Sequence, residues 1–192
     1  YKGRELVDKK ISNYLNKKNG FYVELGANDG ISESNTHYLE NYKSWKGVLI
    51  EPVIHNYLLC RKNRSNKNKI FCNACVPFGY KNKYVDMIYA NLMTYSSNLN
   101  NDLNNLDKHY KQSEKYNKLG EKIFFGAPAM TLNQILDKSK APKNIDFLSL
   151  DTEGTELDVL KGINFKKYNF NYILIEARNI KIIKLFLKKN NY

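Results

Sequence analysis

The stretch Val-Glu-Leu-Gly-Ala-Asn-Asp-Gly at residues 23–30 decides the fold class. It completes a short apolar run, Phe21 to Leu25, that suits a buried strand leading into a glycine turn. Gly26 and Gly30 permit a tight turn and allow a ligand to approach the backbone closely. The spacing is not Gly-x-Gly-x-x-Gly, so a loop that receives a small polar group, such as an amino acid moiety, is favoured over a pyrophosphate cradle.

Outward from this turn, short apolar runs alternate with segments of helical periodicity. The pattern predicts strands at residues 21–25, 45–50, 70–76, 145–150 and 172–176, and helices at 4–16, 34–42, 53–64, 131–136 and 156–161, with a last helix carrying Ile182, Ile183, Phe186 and Leu187. This alternation indicates an α/β layer fold with a mainly parallel sheet. In such sheets, ligands bind beyond the carboxyl ends of the strands, near the point where strand order reverses.

The middle of the chain is harder to interpret. Residues 77–128 are polar and rich in Asn, Lys and Tyr, with a possible helix across residues 99–119. Because a structureless loop of this length is unusual, we expect an insertion over the site, partly helical or hairpin, near the acceptor. We expect residues 1–192 to form a single domain.

Composition limits the classes of function. No apolar run approaches the roughly 18 residues of a membrane span, and the N-terminus lacks a charged-then-apolar signal segment. The chain opens at Tyr1, so a preceding leader could have been lost. The net charge of +12 favours anionic partners, but there is no Arg-rich stripe or nucleic-acid motif.

Three cysteines, Cys60, Cys72 and Cys75, form an odd set, which favours reduced thiols and a cytoplasmic location. Cys72 and Cys75 have the C-x-x-C spacing of metal and redox sites. However, no second pair exists and both lie in a predicted strand, so buried structural thiols are the favoured interpretation.

The second predicted strand ends in Glu51, 25 positions after Gly26. An acid at the end of the second strand, roughly 20 residues beyond a glycine loop, can hydrogen-bond both hydroxyls of a ribose. Pro52 fixes the chain direction after it. A lone surface glutamate is the alternative. Glu24, just before the glycine turn, could similarly meet an ammonium group or be a solvated acid.

Acids also follow the fourth and fifth strands. Asp151 and Glu153 come after one, and Glu176 ends the other. Acids that are buried unpaired are costly, so these three predict an active-site cleft, a divalent cation site or a general base for a hydroxyl. A salt bridge from Glu176 to Arg178 or a lysine is the alternative.

The histidines carry less information. His37, near the glycine loop, could face the cleft and act in catalysis. His55 and His109 look like ordinary surface positions.

In the strand-end motifs described above, the chain resembles the FkbM family of S-adenosylmethionine-dependent methyltransferases. The matching pieces are residues 23–30, 34–36, 45–52, 131–136, 145–162 and 172–176, in order. The resemblance implies a Rossmann-like class I methyltransferase, a three-layer sandwich with a mainly parallel sheet. It also implies O-methylation, commonly of a sugar or a secondary-metabolite hydroxyl.

The resemblance also implies roles for individual residues. Those expected to bind S-adenosylmethionine are Glu24, Gly26, Ala27, Asn28 and Gly30 at the methionine end, Asn35 and Thr36 at its carboxylate, Glu51 and Pro52 at the ribose, Asn73 and Ala74 near the adenine, and Asp151 beside the methyl group. The candidate catalytic residues are Asp151, Glu153, Glu176 and His37. No metal ligand is assigned, although a divalent metal stays open.

Two features depart from the family pattern. Class I sheets usually finish with an antiparallel hairpin after the fifth helix, and we expect it to be missing here because the chain stops at Tyr192. This favours a truncated sheet or a fragment. Residues 81–126 match no family pattern, so the sequence does not identify the acceptor.

The leading hypothesis is methyl transfer to a hydroxyl of a sugar, glycan or glycan precursor, with a small-molecule or glycan partner. RNA ribose methylation is the second enzymatic hypothesis; Asp151 fits it, but the segment Glu176-Ala177-Arg178 lacks the expected lysine. The third hypothesis is a domain that binds the cofactor without turnover. Oligomeric state cannot be read from the sequence.

Overall fold

A computed structural model describes residues 1–100, 102–103, 105–115 and 121–192. Its strands are β1 (Phe21–Leu25), β2 (Lys46–Ile50), β3 (Lys69–Phe71), β4 (Ala74–Cys75), β5 (Tyr84–Tyr89), β6 (Tyr95–Ser96), β7 (Ile123–Met130), β8 (Asn144–Leu150) and β9 (Asn169–Ile175). Its helices are α1 (Val7–Ser12), α2 (His37–Lys43), α3 (Ile54–Asn63), α4 (Leu106–Ser113), α5 (Leu132–Ser139), α6 (Glu156–Leu160) and α7 (Ile180–Lys189), with 3-10 turns at Arg4–Leu6 and Asn91–Met93.

The main sheet has five strands in the order β3-β2-β1-β8-β9, and all neighbouring pairs are parallel. The chain builds outward from β1 to β2 and β3, then returns to place β8 on the other side of β1. Strand order therefore reverses between β1 and β8, which is where open α/β sheets bind ligands. Beyond β9, the described residues form α7 and add no strand to this sheet.

Helices cover both faces of the main sheet, so its central strands are buried on both sides. On one face, Val23 and Leu148 pack with residues of α5, α6 and α7. On the other face, Tyr22 and Phe147 pack with Leu39 of α2 and with α3. The predicted α/β fold, with a mainly parallel sheet between layers of helices, is confirmed.

Residues 77–128 contribute most of a second sheet, in the order β4-β7-β5-β6. β5 pairs antiparallel with β6 and β7, whereas β4 pairs parallel with β7. α4 lies within the helix predicted at residues 99–119; residues 101, 104 and 116–119 of that prediction lie outside the described residues. The division into one domain with an insertion stays a prediction.

Two predicted elements are each divided into two in the structure. The strand predicted at residues 70–76 is two strands: β3 joins β2 in the main sheet, and β4 joins β7 in the second sheet. The apolar run is continuous, but its two halves find different partners. The helix predicted at residues 4–16 is a 3-10 turn followed by α1, which ends at Ser12.

The start of α5 shows how the sequence sets a helix boundary. Thr131 accepts a hydrogen bond from the Gln134 backbone N–H, and the Gln134 side chain accepts one from the Thr131 backbone N–H. This capping box satisfies two N–H groups that lack partners within the helix. Leu132, Ile135 and Leu136 then lie on the buried face.

Candidate functional site

The ends of β1 and β8 meet where strand order reverses. Leu25 and Leu150 are paired residues, so Gly26 and Asp151 leave the sheet side by side. A Cβ on residue 26 would lie 2.2 Å from the Asp151 carbonyl oxygen, and Gly26 has a φ of 75°. Only glycine can therefore hold these two strand ends this close together.

A cleft of about 860 Å³, its open mouth included, lies beyond these strand ends. We call it the main cleft. From the predicted set, it brings together Gly26, Asn28, Glu51, Pro52, Asn73, Ala74, Asp151 and Glu153. In the described part of the chain, its lining does not include Glu24, Ala27, Gly30, Asn35, Thr36, Glu176 or His37.

Glu51 is buried at the end of β2. Its two carboxylate oxygens accept hydrogen bonds from the backbone N–H groups of Asn28, at 2.8 Å, and Val53, at 2.9 Å. Burial raises the pKa of Glu51 to about 7. The carboxyl thus joins the glycine loop to the second strand. It also faces a cleft in which hydroxyl groups could donate to it.

Glu24 points away from the main cleft, into the contact between β1 and helices α2 and α3. Its oxygens accept hydrogen bonds from the hydroxyls of Ser34 and Thr36 and from the Asn35 backbone N–H. The Arg64 guanidinium lies 3.6 Å from it. Glu24 and Thr36 therefore have partners inside the loop instead of the predicted partners in the cleft.

Arg64 is the centre of this buried group, and its side chain has no solvent exposure. It donates to the Glu40 carboxylate at 2.6 Å, to the Gly30 carbonyl oxygen and to the hydroxyls of Tyr22 and Thr36. A Cβ on Gly30 would contact Arg64 at 2.7 Å. Gly30 thus allows Arg64 to pack under the loop, a contact that the sequence did not reveal.

The residues after β3 line another part of the main cleft. Asn73 is buried, and its side-chain amide donates to the Pro128 carbonyl oxygen at 2.9 Å. The thiols of Cys60, Cys72 and Cys75 are free. Burial raises the pKa of Cys75 to about 12, so this thiol stays protonated and inert.

The acids after β8 and β9 divide into two groups. Arg178 donates to Glu153 at 2.5 Å and lies 3.9 Å from Asp102. Its salt bridge is thus with Glu153, and not with Glu176 as in the alternative interpretation of the sequence. Burial, together with the negative charges of Glu176 and Glu153, raises the pKa of the Asp151 carboxyl well above its usual range. Ionising Asp151 and Glu176 at the same time is therefore disfavoured.

A metal role for these acids has no support in the structure. Among the residues described, no group of three or more His, Cys, Asp or Glu side chains is arranged to hold a metal ion.

Asn35 and Glu176 line a cavity that adjoins the main cleft and that also includes Asp151. The Asn35 amide donates to the Ser149 hydroxyl at 3.0 Å.

The histidines are placed differently from the expectations. His37 begins α2 and contacts Asn41, outside the main cleft. His109, expected at the surface, is buried, with Nε2 3.0 Å from the Met93 carbonyl oxygen and 3.7 Å from Glu153. The sequence around His109 could not reveal this burial, because its contacts come from the 3-10 turn at 91–93 and from the segment after β8, which are distant from α4 in the sequence.

The second sheet contributes to the main cleft. Met87 of β5 and Ser96 of β6 line it, together with Leu92, Thr94 and Leu99 from the segments next to these strands. These residues add an apolar surface to a site whose other residues are mostly polar.

No helix in the described ranges is long and apolar enough to cross a membrane.

Comparison with known families agrees with this geometry. The family model described as the Methyltransferase FkbM domain matches residues 24–192. This match begins at Glu24 in β1 and includes both strand ends at the reversal point. Searches of curated proteins and of solved structures found no match.

Proposed function

The chain belongs to the FkbM methyltransferase family, and from this premise we propose that it is an S-adenosylmethionine-dependent O-methyltransferase acting on a hydroxyl of a sugar, glycan or glycan precursor. The observation that carries the proposal is the main cleft at the reversal point, where Gly26, Glu51 and Asp151 converge from three neighbouring strands. Free thiols at all three cysteines support a cytoplasmic location.

The residues of the main cleft fit the cofactor. Glu51 is a buried carboxylate that can accept hydrogen bonds from the two ribose hydroxyls. The exposed backbone at Gly26 and the half-buried Asn28 would hold the methionine end. Pro52, Asn73 and Ala74 would flank the adenine. When bound, S-adenosylmethionine supplies an electrophilic methyl group.

Glu24, Ala27, Gly30 and Thr36 have a supporting role in this proposal. They are buried, and they fix the loop that follows β1 through Arg64 and the Glu24 hydrogen bonds. The binding site is thereby preorganised, which lowers the entropy lost on binding.

The chain must align the acceptor hydroxyl and take its proton. Asp151 and Glu176 supply two carboxyls near one another, and their repulsion disfavours the doubly ionised state. One carboxyl is then ionised and can accept the proton as general base. Glu153 is held by Arg178, so we assign it to positioning. His37 is assigned no catalytic role because it lies outside the main cleft.

Calorimetry with S-adenosylhomocysteine and a methyl-transfer assay on a panel of sugars test the proposal. Glu51→Gln should weaken binding about tenfold or more, because a charged hydrogen-bond acceptor is lost. Glu121→Gln, at an exposed acid, is the matched control. Asp151→Asn should leave the Kd within about threefold and lower kcat about a hundredfold or more.

The outcomes separate the hypotheses. A wild-type protein that binds neither S-adenosylmethionine nor S-adenosylhomocysteine contradicts the proposal. Binding without methylation of any sugar would support the non-catalytic hypothesis. Methylation of RNA in place of sugars would support the RNA hypothesis, and that binding should weaken steeply with salt.

A further inference from the structure

A second cleft, of about 1090 Å³ with its open mouth included, adjoins the main cleft. We call it the side cleft. The two clefts share Glu33, Leu92, Asp151 and Glu153. A molecule in the side cleft would therefore reach Asp151, one of the two carboxyls to which we assign proton transfer.

The acidic and the basic side chains of the side cleft come from different structural elements. The acids Asp151, Glu153 and Glu176 come from the loops after β8 and β9, at the carboxyl ends of the main sheet. Cations come from other elements: Arg4 from the first 3-10 turn and Lys111 from the last turn of α4. The lining also includes a further acid, Glu33, from the loop between β1 and α2, and a further cation, Lys115, just after α4.

The pairing of these charges is uneven. Arg178 also lines the side cleft, but Glu153 and Asp102 already neutralise it. Arg4 and Lys111 are exposed and form no ion pair with any residue in the described ranges. Two cations on different elements therefore border one cleft with no carboxylate of a described residue within ion-pair distance, 4.0 Å.

The rest of the lining matches a small molecule with one apolar surface. Leu92 and Met93 lie side by side in the second 3-10 turn and border the side cleft. A sugar ring has an apolar face that can pack on such side chains, and its hydroxyls can bind the acids. Neither the apolar face nor the hydroxyls of a sugar carry the negative charge that would pair with Arg4 and Lys111.

We infer that the acceptor is a sugar bearing an anionic group, a phosphate or a carboxylate, which Arg4 and Lys111 bind while a ring hydroxyl lies at Asp151. This inference rests on the proposed function. Arginine and lysine form charge-assisted hydrogen bonds to both kinds of anion, and these are shorter and stronger than neutral ones. The acids near Asp151 then fix which end of the acceptor enters first, because they repel its anionic group.

Binding to the protein saturated with S-adenosylhomocysteine tests the inference, with glucose 6-phosphate, glucuronic acid and glucose as probes. Glucose 6-phosphate tests for a phosphate and glucuronic acid for a carboxylate, and glucose is the uncharged reference. At least one anionic sugar should bind about tenfold more tightly than glucose. Lys111→Glu should remove that preference while leaving the affinity for S-adenosylhomocysteine unchanged.

Lys67→Glu is the matched control, since it makes the same change of charge at an exposed turn between α3 and β3. It should change the affinity for each probe less than about twofold. Failure of the protein to bind S-adenosylhomocysteine would contradict the proposed function itself. If that ligand binds, the inference alone is overturned by the absence of any anionic preference, by a preference that survives Lys111→Glu, or by stronger binding of an RNA oligonucleotide that displaces the sugars.

Discussion

Replacing Arg64 with methionine would leave two buried carboxylates without their cation. The guanidinium donates to Glu40 at 2.6 Å and lies 3.6 Å from Glu24, and both carboxylates are largely shielded from water. It also satisfies the Gly30 carbonyl oxygen and the hydroxyls of Tyr22 and Thr36. Methionine fills much of the same space but supplies no donor.

The expected loss can be estimated from these contacts. Removing one partner of a buried ion pair costs about 3–5 kcal/mol, because the other charge stays buried and unpaired. Here both carboxylates keep neutral donors: Ser34, Asn35 and Thr36 for Glu24, and the Ser65 backbone N–H for Glu40. We therefore expect a loss of about 4 kcal/mol in the free energy of unfolding rather than the sum for two pairs. For a chain of this size, that lowers Tm by about 8–16 °C.

Urea titration and thermal melts followed by circular dichroism measure this loss. Arg61→Met, one turn earlier on α3 and exposed, is the control and should change the free energy of unfolding by less than about 0.5 kcal/mol. Adding Glu40→Gln to Arg64→Met should recover about 1 kcal/mol or more, since it removes one of the stranded charges. A loss below about 1 kcal/mol for Arg64→Met, or no recovery in the double variant, would refute the assignment of Arg64 as the buried counter-ion.

Three further predictions concern single residues. The pKa of buried Glu51 is about 7, and we propose that ribose hydroxyls bind its ionised form, so affinity for S-adenosylhomocysteine should rise about tenfold from pH 6 to pH 8 in calorimetry. Glu51→Gln should bind independently of pH, and a pH-independent wild type would contradict this. Gly26→Ala should lower Tm far more than Gly79→Ala, since both glycines have a positive φ but only residue 26 would clash; equal losses would count against the close contact with Asp151. Thr131→Ala should cost about 1 kcal/mol in chemical denaturation because α5 loses its cap, and an unchanged midpoint would argue against the capping box.

The parallel core of the fold was predictable because its strands are apolar runs of local sequence. β1, β2, β8 and β9 overlap the predicted strands, and the reversal of strand order between β1 and β8 follows from the usual topology of such sheets. The strand predicted at residues 70–76 was wrong as a single element. Its two halves pair with β2 and β7, and sequence close to Asn73 contains no information about partners so far away.

The candidate site was predictable where spacing from a strand end fixes position, as for Gly26, Glu51 and Asp151. Glu24 shows what was missed. Side chains alternate along a strand, so Glu24 lies on the same face of β1 as Tyr22, under the helices. That signal was available in the sequence. The pairing of Glu24 with Arg64 was not, because it depends on the packing of α3 against the loop.

The second sheet is attached to the rest of the chain at both of its ends. β4 follows β3 after two residues and pairs with β7, and β7 leads directly through Thr131 into α5. The Asn73 amide also donates to the carbonyl oxygen of Pro128 within β7. An exchange of acceptor specificity between relatives by grafting should therefore transfer residues 73–130 as one block. Junctions at 77 and 128 would instead cut β7 just before Ala129, the residue that pairs with Ala74 of β4.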